Sequence, residues 1–109
     1  MSLLALPDAD GVRVLRASGE IDVAVVPPLL PGLPALVAGA PAVVLDLSLV
    51  EFFDSSGVRL VDALARACDG VPLRVAAPPG TPARRVLELV GLVDGLVEDD
   101  LDTAISAVR

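Results

Sequence analysis

With 109 residues the chain has the length of one domain, and its 54% of hydrophobic residues excludes intrinsic disorder despite a formal net charge of −7. Because the chain is acidic and only 2% aromatic, it lacks the basic patch and the stacking surface of nucleic-acid-binding proteins, so we expect no DNA or RNA partner. The chain contains no His and no Lys to activate a serine, and any metal ligands would have to be carboxylates, so we expect no catalytic residue, metal or cofactor.

Two strands are predicted first in the chain. Residues 12–17 alternate between apolar and other side chains and predict a strand. A short strand at residues 3–6 should pair with it across the turn at residues 7–11, which contains Pro, Asp and Gly. Residues 19–22, Gly-Glu-Ile-Asp, are expected to end the longer strand.

The next segment, residues 23–45, has no charged residue and is long enough for a membrane span. Its five prolines would leave backbone groups unpaired in lipid, so we interpret it as a buried helix followed by a buried strand. The helix should lie within residues 25–38. Pro28 suits a first helical turn, whereas Pro34 would break a helix begun that early, so we expect a late start or a kink.

Strands and helices alternate from residue 42 onward. A polar loop is expected between the strand at 42–47 and the helix at 55–68. The predicted elements are a strand at 42–47, a helix at 55–68, a strand at 72–77, a helix from Thr81 to about 89, a short strand at 96–97 and a helix from 99 or 100 to 108. Such alternation predicts an α/β fold with a mostly parallel sheet.

Two polar segments follow predicted strands, residues 20–22 and residues 54–56. Ligands and partners of parallel sheets gather beyond the carboxyl ends of the strands. If the two strands are parallel neighbours, both segments lie on the same edge of the sheet.

The second of these segments belongs to the run Asp54-Ser55-Ser56-Gly57. One interpretation is structural: Asp or Ser caps the helix, and Gly57 allows the helix to pack closely on the sheet. The other is functional, because a hydroxyl at a helix N-terminus lies where a phosphate can be added and held. The first interpretation does not explain the second hydroxyl.

The helical period places Ser56 on a flank of small and apolar residues that suits contact with another protein. A separate stripe carries Arg59 and Asp62. The predicted flank consists of Ser56, Leu60, Ala63 and Ala67, and the predicted core side consists of Gly57, Val61, Leu64, Ala65 and Cys68.

Three blocks of this sequence resemble the STAS domain family of bacterial anti-sigma factor antagonists. They are residues 19–22, residues 44–48 continuing through 53–58, and residues 85–92, in the family's order and spacing. The resemblance implies one STAS domain over residues 1–109, with a mixed, mostly parallel sheet of four to five strands flanked by about four helices.

The resemblance also implies a function and a site. An anti-sigma factor serine kinase of the ATPase fold phosphorylates the position of Ser56, and a PP2C-type phosphatase reverses the modification. The unphosphorylated protein binds the anti-sigma factor and releases the sigma factor. The resemblance assigns partner contacts to Asp22, Asp54, Ser55 and Ser56. With the neighbouring residues of the motif and the helix, the predicted partner-binding residues are Asp22, Asp54, Ser55, Ser56, Gly57, Arg59, Leu60 and Ala63. Departures from the family pattern are the prolines of the first helix and the charges of Arg59 and Asp62.

An alternative is a STAS scaffold, or an accessory subunit of a membrane transport or signalling complex, without kinase regulation. The uncharged segment at residues 23–45 and a mean hydropathy of +0.75 favour it. In either case we expect a cytoplasmic protein, because the N-terminus lacks the features of a signal peptide and the single cysteine, Cys68, cannot form an internal disulfide.

Overall fold

The structure is a computed structural model that describes residues 1–109. Five strands form one mixed sheet in sequence order, with the first pair antiparallel and every other pair parallel. The strands are β1 (Ser2–Ala5), β2 (Arg13–Ile21), β3 (Val43–Phe53), β4 (Leu73–Ala76) and β5 (Val97–Glu98). The predicted α/β class with a mostly parallel sheet is therefore confirmed.

Helices connect the parallel strands, and a last helix follows β5. They are α1 (Val26–Leu29), a 3₁₀ turn (Leu30–Gly32), α2 (Leu33–Val37), α3 (Ser55–Ala67), α4 (Pro82–Leu89) and α5 (Leu101–Val108). When α1, the 3₁₀ turn and α2 are counted as one interrupted helix, four helices flank the sheet. None of them combines the length and the apolar character needed to cross a bilayer.

The interruption of the first helix follows from its prolines. α1, the 3₁₀ turn and α2 each carry proline in their own first turn. A proline is tolerated there because its missing N–H would have had no helical partner. Each of the three segments therefore begins at a proline-containing first turn, and the predicted kink is confirmed.

The sheet is covered unequally on its two faces. Consecutive parallel strands joined by right-handed crossovers place all the connecting helices on the same face. The larger core, which includes Leu15, Leu45 and Val75, lies under α1 to α4. The smaller core, which includes Val44 and Ala76, lies under α5 on the opposite face.

Two strands are longer than their sequence pattern predicts. β2 continues through residues 19–21, and β3 continues to Phe53, so the predicted polar loop after Leu47 is wrong. The register between β2 and β3 shifts twice, between Arg16 and Ser18 and again between Gly19 and Glu20. Each shift is a β-bulge, which places extra residues on β3 and leaves the strand paired with β2.

Candidate functional site

The carboxyl ends of β2 and β3 lie side by side. Ile21 is the register partner of Phe53, and each is the last residue of its strand. Asp22 and Asp54 follow these two residues directly, so residues 20–22 and 54–56 lie on one edge of the sheet, as predicted. We call this edge the rim.

Asp54 joins β3 to α3 and caps the helix. Its carboxylate Oδ1 accepts a hydrogen bond of 2.8 Å from the Ser56 backbone N–H. Its carbonyl oxygen accepts bonds from the N–H groups of Gly57 (3.0 Å) and Val58 (3.3 Å). Asp54 thus satisfies two of the N–H groups that the first turn of a helix leaves without partners, those of Ser56 and Gly57, and accepts the first regular helical bond, from Val58. The predicted capping role of this motif is confirmed.

Asp22 has a matching position at the end of β2. Its Oδ1 accepts a bond of 2.9 Å from the Ala24 N–H, and its carbonyl oxygen accepts bonds from Val25 (3.2 Å) and Val26 (3.1 Å). The helix that follows, α1, has four residues, whereas α3 has thirteen. Of the two aspartates, only Asp54 therefore precedes a long helix.

The two serines of the motif differ in their surroundings. Ser55 is exposed and Ser56 is partly exposed. The Ser56 hydroxyl makes no hydrogen bond within the chain, yet it is not a buried atom, because Arg74 Nε is the only buried side-chain polar atom without a partner. The Ser56 Oγ atom is therefore accessible to solvent and has no hydrogen-bond partner within the chain.

Gly57 has a structural role. It is buried, and a Cβ atom at this position would lie 2.6 Å from the Cδ2 and Cζ atoms of the Phe53 ring. Only glycine lets the first turn of α3 lie this close to the end of β3. The predicted close packing is confirmed, and Gly57 offers no side chain to a partner.

The other predicted contact residues on α3 differ in their exposure to solvent. Leu60 is only 1% exposed and belongs to the main core, so its prediction as a surface residue is wrong. Ala65 is exposed, so its predicted place on the core side is also wrong. Arg59 is exposed and Ala63 is partly exposed, and both remain accessible beside Ser56 on the surface of the helix.

A shallow pocket of about 330 Å³ lies where β3 extends past the end of β4. The pairing of these strands ends at Asp46 and Ala76, so the rest of β3 has a strand neighbour only on its β2 side. The first turns of α4 face this free edge. The lining residues are Glu51, Phe52, Phe53, Pro82, Arg85 and Val86. None of these residues was predicted to line a site. For Glu51 and Phe52 the reason is that β3 was expected to end at Leu47.

The charges around the rim and the pocket are mainly negative. Glu51 joins Asp22 and Asp54 there, and Arg85 contributes the positive charge of the pocket lining. The Arg85 Nη2 atom donates a 3.3 Å bond to the Gly80 carbonyl. No group of three His, Cys, Asp or Glu side chains is arranged to hold a metal ion.

Comparison with known proteins gives a consistent result. A family model described as "Mlab, STAS domain" matches residues 4–98. The anti-sigma-F factor antagonist RsfB of Mycobacterium tuberculosis is 36% identical over 91 residues, which cover 82% of this chain and 74% of RsfB.

Solved structures agree with the sequence comparison. The crystal structure of an anti-sigma factor antagonist from Mycobacterium paratuberculosis is similar with a TM-score of 0.80 and 38% identity, covering 99% of this chain and 95% of that one. The Bacillus cell fate determinant SpoIIAA in its phosphorylated form is similar with a TM-score of 0.67 and 25% identity, covering 99% of this chain and 100% of that one.

Proposed function

The chain belongs to the STAS domain family, and we propose that it is an anti-sigma factor antagonist whose binding to an anti-sigma factor is switched off by phosphorylation of Ser56. Its similarity to RsfB and to the M. paratuberculosis antagonist supports the general role. Both are named as regulatory proteins, and we infer the same for this chain instead of a catalytic activity. The phosphorylated structure of SpoIIAA supports regulation by phosphate.

One observation carries the choice of Ser56. Its hydroxyl is open to solvent and makes no hydrogen bond, at the start of a helix of thirteen residues. The backbone N–H of the same residue is held by the Asp54 carboxylate at 2.8 Å, so the serine is fixed in position while its hydroxyl stays free. A protein kinase needs such a hydroxyl, positioned and accessible.

Phosphate at Ser56 would add negative charge to a surface that is already negative. It contributes about −1.5 to −2 charges at neutral pH. The Asp54 carboxylate already accepts the hydrogen bond of the Ser56 N–H. A phosphate on Ser56 would therefore add its charge to that of this carboxylate. A partner that places carboxylates or a dry surface against the rim would then be repelled, because like charges and desolvation oppose the contact.

The partners that we propose follow from the same site. The anti-sigma factor is a serine kinase of the ATPase fold that binds the unmodified rim and phosphorylates Ser56 with ATP. A PP2C-type phosphatase removes the phosphate and restores binding. Contact with the kinase involves the accessible residues of the rim and of α3, namely Asp22, Asp54, Ser55, Ser56, Arg59 and Ala63. Such a cycle requires the chain to share the cytoplasm with ATP.

The test combines mass spectrometry with calorimetry on the full chain and its cognate anti-sigma factor. With ATP, we expect one phosphate on Ser56 and the same result for Ser55→Ala, whereas Ser56→Ala should bind but stay unmodified. Ser56→Asp should weaken binding by about tenfold or more, since one close like-charge contact has an effect of this size.

Two results would contradict the proposal: an unmodified Ser56 in the presence of an active kinase, or binding of Ser56→Asp equal to that of the original chain. The alternative, a scaffold or transport subunit, can be tested by purifying the chain from its host and identifying the proteins recovered with it. In that case a transporter ATPase would be recovered with the chain, and no kinase.

A further inference from the structure

The two bulges of β3 change which residues face outward. Along β2, Ser18 and Glu20 are two residues apart and lie on the same face of the sheet. Their register partners on β3 are Leu49 and Phe52, which are three residues apart. The extra residue between them therefore brings two large apolar side chains to the face opposite the main core.

About half of each of these two residues is left uncovered within the chain. Leu49 is 55% exposed and Phe52 is 46% exposed. α5 is the only helix on this face, and it packs on Val44 and Ala76, toward the other end of the strands. Leu49 and Phe52 thus form an uncovered apolar surface that reaches the rim, which we call the outward strip.

The bulges also keep the main core filled. Leu47, Val50 and Phe53, spaced three residues apart, are all at most 4% exposed. A regular strand alternates its side chains with a period of two and could not bury all three. The bulges thus keep the core side of β3 apolar and buried and also expose Leu49 and Phe52 on the opposite face. Bulges are common next to functional sites.

Negative charges border the outward strip. Glu20 is the register neighbour of Phe52, and Glu51 precedes it in the chain; both glutamates are exposed. Phe52 also lines the shallow pocket of about 330 Å³ next to α4, so the strip continues into this pocket, where Arg85 is the one positive charge against the two glutamates. The surface therefore matches a protein segment that carries apolar residues together with Lys or Arg.

We propose that the outward strip is a second docking surface for the same anti-sigma factor, and that it binds a segment of this partner with apolar and basic side chains. This inference rests on the proposed function. It extends the contact from the rim, where phosphate acts, across the end of β3 to the opposite face of the sheet. The continuity of Phe52 with Asp54, two residues later in the chain, lets one partner cover both surfaces.

Two other occupants fit this surface less well. A second copy of the chain in a symmetric contact would bring its own Glu20 and Glu51 to this acidic surface, and each copy has a net charge of −7. An anionic lipid surface would meet the repulsion of Glu20 and Glu51. Of the two arginines near the strip, Arg16 is paired with Asp46 at 3.3 Å, which leaves only Arg85 of the pocket lining to attract such a surface.

The test measures binding of the anti-sigma factor to Leu49→Ser and Phe52→Ser by calorimetry. We expect each variant to lose about tenfold or more in affinity, as truncation of an apolar anchor does. Leu89→Ser is the matched control, because Leu89 is 85% exposed at the far end of α4 and should bind like the original chain. Glu20→Gln should weaken binding and reduce its dependence on salt.

Thermal unfolding of each variant shows that the fold is intact, and the outcomes separate the two proposals. If Ser56→Asp loses binding but Leu49→Ser and Phe52→Ser do not, the second surface is wrong and the proposed function stands. If the original chain does not bind the anti-sigma factor, both are wrong. Sedimentation as a dimer that Leu49→Ser dissociates, or strip-dependent binding to phosphatidylglycerol vesicles, would also overturn the second surface.

Discussion

The two halves of β3 belong to the same strand but to different environments. Residues 43–47 are buried on both faces, and residues 43–46 are paired with β2 and with β4. Residues 48–53 are paired only with β2 and contain the bulges, and only every third side chain, Val50 and Phe53, is buried. The first half gives the sheet its core, and the second half supplies the surface from which the proposed contacts are made.

Asp46 marks the change from one half to the other. It is 2% exposed, and its Oδ1 accepts bonds from the Ser48 N–H (3.0 Å) and the Ser48 hydroxyl (2.7 Å). Arg16 Nε donates to its other oxygen at 3.3 Å. Because the side chain of Asp46 takes the Ser48 N–H, the regular strand ladder is interrupted there and the first bulge follows.

A pair of leucine substitutions tests this comparison most strongly. Leu45 is fully buried in the first half and Leu49 is 55% exposed in the second. Leu45→Ala should lower the free energy of unfolding by about 2–5 kcal/mol through lost burial and a cavity. Leu49→Ala should change it by less than about 0.5 kcal/mol. Urea unfolding measures both, and equal losses would mean that Leu49 is packed like Leu45.

The junction between Phe53 and α3 gives the next largest effect. Gly57→Ala would place a methyl group against the Phe53 ring and should cost about 1–3 kcal/mol of unfolding free energy. The double variant Gly57→Ala with Phe53→Leu should be less destabilised than the sum of the single variants, because the smaller side chain removes the clash. Additive losses in urea unfolding would show that the two residues are not in the contact described.

Much of the fold could be predicted from the sequence because the signals are local. The prolines marked the breaks in the first helix, and Asp54 and Thr81 marked the starts of α3 and α4. The order of strands and helices then predicted parallel neighbours, and from these the shared rim of Asp22 and Asp54 followed.

The errors arose where tertiary packing decides the outcome. Leu60 was predicted at the surface from the helical period alone, but α3 contacts α1, α2 and α4 as well as facing the sheet, so its buried arc is wider than one face. The second half of β3 has a core period of three, at Leu47, Val50 and Phe53, which matches neither a strand nor a helix. The buried bonds between Asp46 and Ser48, which lie at the first bulge, were not predicted from the sequence.

The smallest expected loss of stability comes from Asp54, at the junction between β3 and α3. Asp54→Ala removes the side chain that caps α3 and should lower the unfolding free energy by about 1 kcal/mol. Asp54→Asn is the matched control, because its amide oxygen can still accept the Ser56 N–H, and its stability in urea should stay close to that of the original chain.

The two variants also separate capping from charge. Both remove the negative charge of Asp54 beside Ser56, but only the alanine variant loses the acceptor for the Ser56 N–H at 2.8 Å. If binding of the anti-sigma factor falls in both variants alike, the charge of Asp54 takes part in the contact. If it falls only in Asp54→Ala, the cap acts by holding Ser56 in place. Equal stability of all three proteins would mean that strand pairing at Phe53, and not the cap, fixes the start of α3.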